Sequence, residues 1–418
     1  MRPPPDKSIS HRAALLAAMG EGRSLVRNYL DAADTRATLA AVEALGGRVA
    51  LRGDGPGLEA TIHGLGLQGP SQSQIDVGNA GTLIRLLPGW LAGQESGGTW
   101  TLDGDDSIRR RPVDRVAEPL RMMGAEVECR EGRLPPLRVR GSRLRGIRYR
   151  LPVASAQVKS CVLIAGLLAH TPTTVVEPAQ TRDHTERMLR SAGVELDVLG
   201  TEITVRRSFG LEPLRMTVPG DFSSAAFHLV GAVLVPGSEV VVDGVGLNPT
   251  RTGLLDILER MGAAVEERGG AANGGEPTGS ALARHSELRG TVIGGEEIPL
   301  VIDELPLVAL AGCFAEGETV IRDAAELRRK ESDRIATVAE ALTAMGGEVE
   351  PTPDGMVIHG SGGIHGGRIS SRGDHRIAML GAVAGLASRD GVEVDGIEAA
   401  AVSYPGFEAD LRRLLRAS

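Results

Sequence analysis

The amino-acid sequence predicts an α/β protein of two domains, each made of three repeated β/α units whose sheets pack around buried helices, an inside-out α/β barrel arrangement. Three observations carry this. The first is an amphipathic helix that ends in a small turn and runs into a strand, found at Ala44-Leu45-Gly46-Gly47-Arg48-Val49, Met122-Met123-Gly124-Ala125-Glu126-Val127, Arg190-Ser191-Ala192-Gly193-Val194-Glu195, Arg260-Met261-Gly262-Ala263-Ala264-Val265 and Ala344-Met345-Gly346-Gly347-Glu348-Val349. The Gly suits the position just past a helix, where left-handed backbone is common, and β-branched residues then open a strand. The second is a polar helix start followed by small and apolar residues, at Lys7-Ser8, Asn79-Ala80-Gly81-Thr82, Ser155-Ala156-Gln157, Asp221-Phe222-Ser223-Ser224, Asp303-Glu304 and Asp374-His375-Arg376. These starts lie roughly 65 to 80 residues apart, so the repeating unit is about 70 residues long. The third is that Cys161 to Ala169, Ala225 to Val235 and Ala378 to Leu386 are rich in Ala, Leu and Gly and lack a broad polar face, which marks buried helices.

Composition narrows the function. The 418 residues are 42% hydrophobic, enough for sizeable cores, while aromatics are 2%, leaving little to stack on bases. No long basic run occurs, so nucleic acid is disfavoured as a partner. The net charge of −8 does not forbid an anionic ligand, because free charges are screened within about 8 Å at physiological salt. Cys129, Cys161 and Cys313 are isolated and lack CxxC spacing, as expected of buried thiols in a reducing compartment. The longest apolar runs fall well short of the roughly 20 residues of a membrane helix, and the N-terminal Ala/Leu run lacks a cleavage site, so a cytoplasmic protein is expected.

Taken in order, the helix starts carry the chemistry. In Pro5-Asp6-Lys7-Ser8-Ile9-Ser10-His11-Arg12, Asp6 or a neighbouring Ser can cap a helix, and Lys7/His11 and Ser8/Arg12 form two polar ridges on its first turn. A helix N-terminus favours negative charge, and a Lys and an Arg beside it make a site strong enough for phosphate. Asn79-Ala80-Gly81-Thr82 with Arg85 offers small residues at a turn, as an anion nest would. Arg109-Arg110-Arg111-Pro112 runs into the next helix, with Pro112 suited to its first position. Pro299 to Ile302 reads as a strand, placing Asp303 at a strand-to-helix junction, either as a helix cap or as a carboxylate near cations that can take a proton from a hydroxyl. Arg328 to Arg334 is expected to open a helix with Lys330 and Arg334 one turn apart and Glu331 beside them, and Asp374-His375-Arg376 opens one more. The Gly, Ala and Ser of Gly269 to Arg289 read as an inserted loop without chemistry. No P-loop, GxGxxG or metal-ligand cluster is present in the sequence, so the reaction is expected to run on positioning, charge and proton transfer.

These motifs, in this order along the chain, resemble the 5-enolpyruvylshikimate-3-phosphate synthases, a family of enolpyruvyl transferases. The resemblance is carried by Asp6 to Arg12, Gly78-Asn79-Ala80-Gly81-Thr82, Arg111-Pro112, Ser155-Ala156-Gln157-Val158-Lys159-Ser160, Lys330-Glu331-Ser332-Asp333-Arg334 and Asp374-His375-Arg376. It implies two three-repeat domains, residues 7–219 and residues 1–6 with 220–418, hinged near 5–7 and 218–221. It also implies transfer of the enolpyruvyl group of phosphoenolpyruvate to the 5-hydroxyl of shikimate 3-phosphate, releasing phosphate and needing no cofactor and no metal, in the pathway to chorismate and aromatic amino acids. By matching position, Lys7, Ser8, Arg12, Ser155, Gln157, Asp303 and Lys330 would hold shikimate 3-phosphate. Lys7, Asn79, Gly81, Arg111, Gln157, Arg334, His375 and Arg376 would hold phosphoenolpyruvate. Asp303 is the candidate base, and Glu331 and Lys7 are the candidate proton donors. The implied partners are these two small molecules, with no nucleic acid, no membrane and a monomeric chain.

Departures from the family pattern stand at Ala156, Glu326 and Val402, where some relatives carry Ser, Asn and Lys. Relatives also carry about a dozen further residues ahead of the Lys-Ser turn, with Gly where Pro5 stands, so either Met1 is a late start or the last sheet lacks a strand and the hinge a crossing. Two rival readings fit less well. A related transferase acting on UDP-N-acetylglucosamine usually has a reactive Cys in the loop matching Thr101 to Pro112, and none stands there. A non-catalytic anion-binding relative would have little need of Asp303, Glu331 and Lys7 together.

Overall fold

The computed structural model describes residues 1–53, 55, 57–71 and 74–416. The chain divides into two compact units. One comprises Pro5–Val218 with the turn Ala272–Glu276. The other comprises Met1–Pro4, Pro219–Ala271 and Pro277–Ser418.

In the first unit, helices α1 (Lys7–Met19), α2 (Ala33–Ala44), α3 (Gly81–Ala92), α4 (Asp114–Met122), α5 (Ala156–Gly166) and α6 (His184–Ser191) alternate between interior and exterior. The interior members α1, α3 and α5 are buried over nearly their whole length, as their Ala/Leu content dictates. α4 and α6 bury one stripe and turn charge outward. The three sheets share one strand order. In the first, Arg215–Thr217, Arg23–Leu30, Gly57–His63 and Arg48–Arg52 lie side by side. The outer pair is parallel, with Leu25 opposite Arg215, and the other pairings are antiparallel, with Leu25 opposite Thr61 and Val49 opposite Ile62. α3 and α5 touch backbone to backbone at Gly89, where an added Cβ would lie 2.3 Å from the Cys161 carbonyl oxygen.

The second unit repeats the scheme with α7 (Phe222–Leu234), α8 (Gly253–Arg260), α9 (Ile298–Val301), α10 (Leu305–Phe314), α11 (Arg334–Ala344), α12 (His375–Ala387) and α13 (Phe407–Leu415). α7, α10 and α12 pack on one another to form its core. Its sheets have three, four and two strands, the two-stranded one pairing Gly367–Ser370 with Val392–Asp395. Met1 runs beside the strand Glu239–Gly246, its N-terminal amine donating to the Val241 carbonyl at 2.6 Å and its carbonyl accepting from the Asp243 N–H at 2.8 Å.

The helix-end signals are borne out. Gly46, Gly124, Gly193, Gly262 and Gly346 all follow helices with φ between 83° and 104°. Other expectations need correcting. Gly269 to Arg289 is not a loop: it lies mostly in two long strands, Ala264–Asn273, which is largely exposed, and Glu276–Arg284, which pairs between that strand and Glu239–Gly246 and buries Ala281, Leu282 and Ala283. Pro299 to Ile302 is not a strand, for Ile298–Val301 is a helical turn with Pro299 in its first turn, where its missing N–H costs nothing. Pro112 lies just outside α4, which begins at Asp114. Cys161 and Cys313 are buried and their thiols pushed up to about 12 by burial, whereas Cys129 is only half-buried. Among the described residues no helix is long and apolar enough to cross a membrane.

Candidate active site

In the first unit, the polar residues gather at the starts of α1, α3 and α5. Asp6 caps α1 by accepting from the Ile9 N–H at 2.8 Å, which frees the following turn to present Lys7 and Ser8. The Lys7 ammonium reaches the Asp34 carboxylate on α2 at 3.2 Å. Arg12, one turn deeper, is buried: its Nε donates to Thr185 Oγ1 at 2.8 Å, and its two terminal nitrogens to the Ser8 carbonyl at 3.0 Å and Ser160 Oγ at 3.2 Å. Burial lowers its pKa to about 10; Glu186 and Asp6 oppose the shift, and the Arg182 charge adds to it. His11 lies behind, its Nδ1 2.6 Å from Thr38 Oγ1. Burial, then Lys7 and Arg12, lower its pKa to about 3, so it is neutral and belongs to the packing rather than to an anion.

A second cluster joins α3 to α5. Gln157 Nε2 donates to Thr82 Oγ1 at 3.1 Å, and its Oε1 accepts from Arg85 at 3.0 Å. Ser155 caps α5, accepting from the Val158 N–H at 3.4 Å. Asn79 donates to Asp105 at 2.8 Å and accepts from Arg111 at 3.5 Å, while Arg111 also donates to Ser107 Oγ at 3.2 Å. Gly81 lies between the two guanidiniums: a Cβ there would meet Arg111 Nη1 at 3.0 Å and Arg85 Nη1 at 3.3 Å. The bare backbone thus leaves room for both arginines at the open start of a helix, where N–H groups point outward.

In the second unit, the corresponding helix starts form a network of charges. Asp303 sits in the turn between α9 and α10, its Oδ1 3.2 Å from Lys330 Nζ and 3.3 Å from Arg334 Nη1. Glu331 accepts from Arg334 Nη2 at 2.6 Å. Asp374, without exposed surface, caps α12 by accepting from the Arg376 N–H at 2.9 Å and also takes Arg334 Nε at 2.9 Å and Ser332 Oγ at 3.0 Å. Burial alone would lower the Arg334 pKa, but Asp374, Glu331 and Asp303 outweigh it and hold the guanidinium above its usual value. Burial would raise Asp374, and Arg334 reverses that, keeping its carboxyl below the usual range. His375 Nδ1 is 3.9 Å from Asp374. Arg376 donates to the Asp303 carbonyl at 3.0 Å.

The structure therefore gathers Asn79, Gly81, Arg111 and Gln157 with Arg85, and gathers Asp303, Lys330, Glu331, Arg334, His375 and Arg376 with Asp374. Lys330 does not share a helix face with Arg334, as the spacing suggested: α11 begins at Arg334, capped by Asp333, and Lys330 follows a short 3₁₀ turn. The two meet at Asp303 through tertiary folding. Asp303 is not a cap either, because Glu304 precedes α10. Asp34, Thr185, Arg251 and Glu304 went unread as site neighbours. Each lies far in sequence from its partner or inside a phrase whose neighbour carried the signal.

Two units built from repeated β/α elements, with polar starts on their buried helices, have the fold of the enolpyruvyl transferase class. The fold matches the enolpyruvyl transferase NikO from Streptomyces tendae with a TM-score of 0.77 at 18% identity, over 99% of this chain and 94% of that one. Within the class, residues 1–411 match the family EPSP synthase (3-phosphoshikimate 1-carboxyvinyltransferase). A 3-phosphoshikimate 1-carboxyvinyltransferase from Thermus thermophilus is 52% identical, covering 100% of this chain and 96% of its own length. One from Bacillus velezensis is 46% identical, with 99% and 96% covered. The structure of an EPSP synthase from Acinetobacter baumannii aligns with a TM-score of 0.86 at 42% identity, over 99% of this chain and 95% of that one. The chain belongs to the EPSP synthase family.

Proposed function

We propose that this chain transfers the enolpyruvyl group of phosphoenolpyruvate to the 5-hydroxyl of shikimate 3-phosphate, giving 5-enolpyruvylshikimate 3-phosphate and phosphate. Lys7, Ser8, Arg12, Ser155, Gln157, Asp303 and Lys330 hold shikimate 3-phosphate. Lys7, Asn79, Gly81, Arg111, Gln157, Arg334, His375 and Arg376 hold phosphoenolpyruvate. Both substrates are polyanions, and a charge-assisted hydrogen bond contributes roughly 1.5–3 kcal/mol, so a few converging cations suffice for binding despite a net charge of −8.

The chemistry is an addition followed by an elimination. As the hydroxyl oxygen bonds to C2 of phosphoenolpyruvate, its proton leaves to Asp303 and a proton arrives at the methylene carbon from Glu331 or Lys7. The tetrahedral adduct then returns a methyl proton to the group that supplied it, Glu331 or Lys7, as its C2–O bond to phosphate breaks, restoring the double bond. Cations around the adduct stabilise charge that develops on the departing phosphate. The observation that carries the reading is the Asp303 carboxylate, held by Lys330 and Arg334 at the start of a buried helix, in a chain of this family. That setting places a carboxylate oxygen, a possible proton acceptor, among the cations that would hold the substrates. We place the enzyme, as a monomer, in the cytoplasm.

The test is phosphate release from phosphoenolpyruvate with and without shikimate 3-phosphate, on wild type and Asp303→Asn. Release that requires shikimate 3-phosphate and collapses in the variant supports the reading. Binding of both ligands without release would leave an anion-binding protein, and release with UDP-N-acetylglucosamine instead would reassign the substrate.

A further inference from the structure

Glu304 follows Asp303 and has no exposed surface. A carboxylate so placed is costly unless cations and donors compensate it. Its Oε1 accepts from the Ser223 hydroxyl and from Arg251 Nη1 at 3.4 Å, and lies 3.7 Å from Arg376 Nη1. Its Oε2 has no hydrogen-bond partner among the described residues. Arg251 Nη2 in turn donates to Ser223 Oγ at 2.5 Å and to Asp221 Oδ1 at 3.4 Å, and Asp221 caps α7. A continuous set of contacts thus joins Asp221, Arg251, Ser223, Glu304 and Arg376, tying together the starts of α7, α10 and α12.

Arg376 is the outward end of this set. Its Nη1 donates to the Asp303 carbonyl at 3.0 Å and its Nη2 lies 3.8 Å from Asp303 Oδ2, so the guanidinium is fixed from two consecutive residues, 303 and 304. A merely structural ion pair would be complete with Arg251 and Glu304. Its extension to a cation at the site is what a positioning device would show.

We propose that Glu304 is a positioning residue for Arg376: with Ser223 and Arg251 behind it, the carboxylate holds the Arg376 guanidinium in the orientation that meets phosphoenolpyruvate. This rests on the reading that Arg376 binds that substrate. Glu304→Gln removes the charge while keeping the shape and the Oε1 acceptor, and the Oε2 position forfeits no hydrogen bond.

The experiment is steady-state kinetics on the full chain, varying each substrate at saturation of the other, for Glu304→Gln, Arg376→Lys and the double variant. Glu304→Gln is expected to raise KM for phosphoenolpyruvate about tenfold, the equivalent of one charge-assisted hydrogen bond, with kcat and the other KM moving less than about threefold. In the Arg376→Lys background the same substitution is expected to cost much less, because the two residues act as a unit. Equal rises in both KM values, no rise in a folded variant, or fully multiplicative effects would overturn the proposal. An Arg376→Lys variant with unchanged KM for phosphoenolpyruvate would instead refute the reading of Arg376, and this proposal with it. If Glu304→Gln does not fold by circular dichroism, Ser223→Ala carries the same test with the same outcomes.

Discussion

The two sets of helix starts use the same cations in opposite company. In the first unit, Arg85 and Arg111 donate to amide, hydroxyl and backbone oxygens of Gln157, Asn79, Ser107 and Gly81, and Lys7 reaches Asp34. In the second, Lys330, Arg334 and Arg376 stand among Asp303, Glu304, Glu331 and Asp374. Neutral oxygens orient a guanidinium without cancelling its charge, which suits holding an anion. Carboxylates cancel the charge but supply groups that accept and return protons. We propose that the starts of the first unit mainly hold anions, Lys7 being also a candidate proton donor, whereas the second adds to its binding cations the carboxylates Asp303 and Glu331 as proton-handling groups.

The largest expected effect breaks the second side. Asp303→Asn should lower kcat by about 10²–10⁴, the usual contribution of a positioned general base, in the phosphate-release assay. Arg334→Gln should come next, as a loss of folding stability of about 3–5 kcal/mol in urea unfolding, because it strands Asp374 and Glu331 in or near the interior.

Acid sharpens the comparison, since each unit buries a neutral histidine: His11, lowered to about 3, and His228, lowered to about 4 by burial. Below the unfolded value of 6.5 the unfolded chain takes up protons that the folded chain refuses. Stability must therefore fall as pH drops from 6.5 toward those folded values, by up to about 1.4 kcal/mol per pH unit for each histidine. His11→Asn should remove one such contribution, read as a shallower loss of urea midpoint between pH 6.5 and 4. Asp374 works lower down: its depressed carboxyl adds stability above the usual carboxylate range that is lost only as pH falls through its folded value.

Gly81→Ala probes the first side. The new methyl presses on Arg111 and Arg85, so KM for phosphoenolpyruvate should rise about tenfold, the equivalent of mild overpacking, with the melting temperature little changed. The smallest effect is Asp34→Asn. Lys7 is 21% exposed and its pairing partly screened, so stability should change by less than about 1 kcal/mol.

Much of this was legible in the sequence because it is local. Asp6 caps α1 within three residues, the Gly after each outer helix takes a left-handed backbone, and Ala/Leu-rich stretches became the buried helices. What was not legible depends on distance. Asp34 is 27 residues from Lys7, Thr185 is 173 from Arg12, and Glu304 is 53 from Arg251, and no periodicity announces such meetings. Pro299 to Ile302 misled because a short apolar run looks alike in a strand and a helical turn, and Pro299 decided for the latter.

The most direct test of the division of labour is one kinetic comparison, kcat and both KM values for Arg111→Gln and Glu331→Gln side by side. The account predicts that Arg111→Gln raises KM for phosphoenolpyruvate at least about tenfold with kcat within about threefold, and that Glu331→Gln lowers kcat by about 10² or more with KM values within about threefold. If both variants lose mainly binding, or both mainly turnover, the two sets of helix starts do not divide the work and the central claim is wrong.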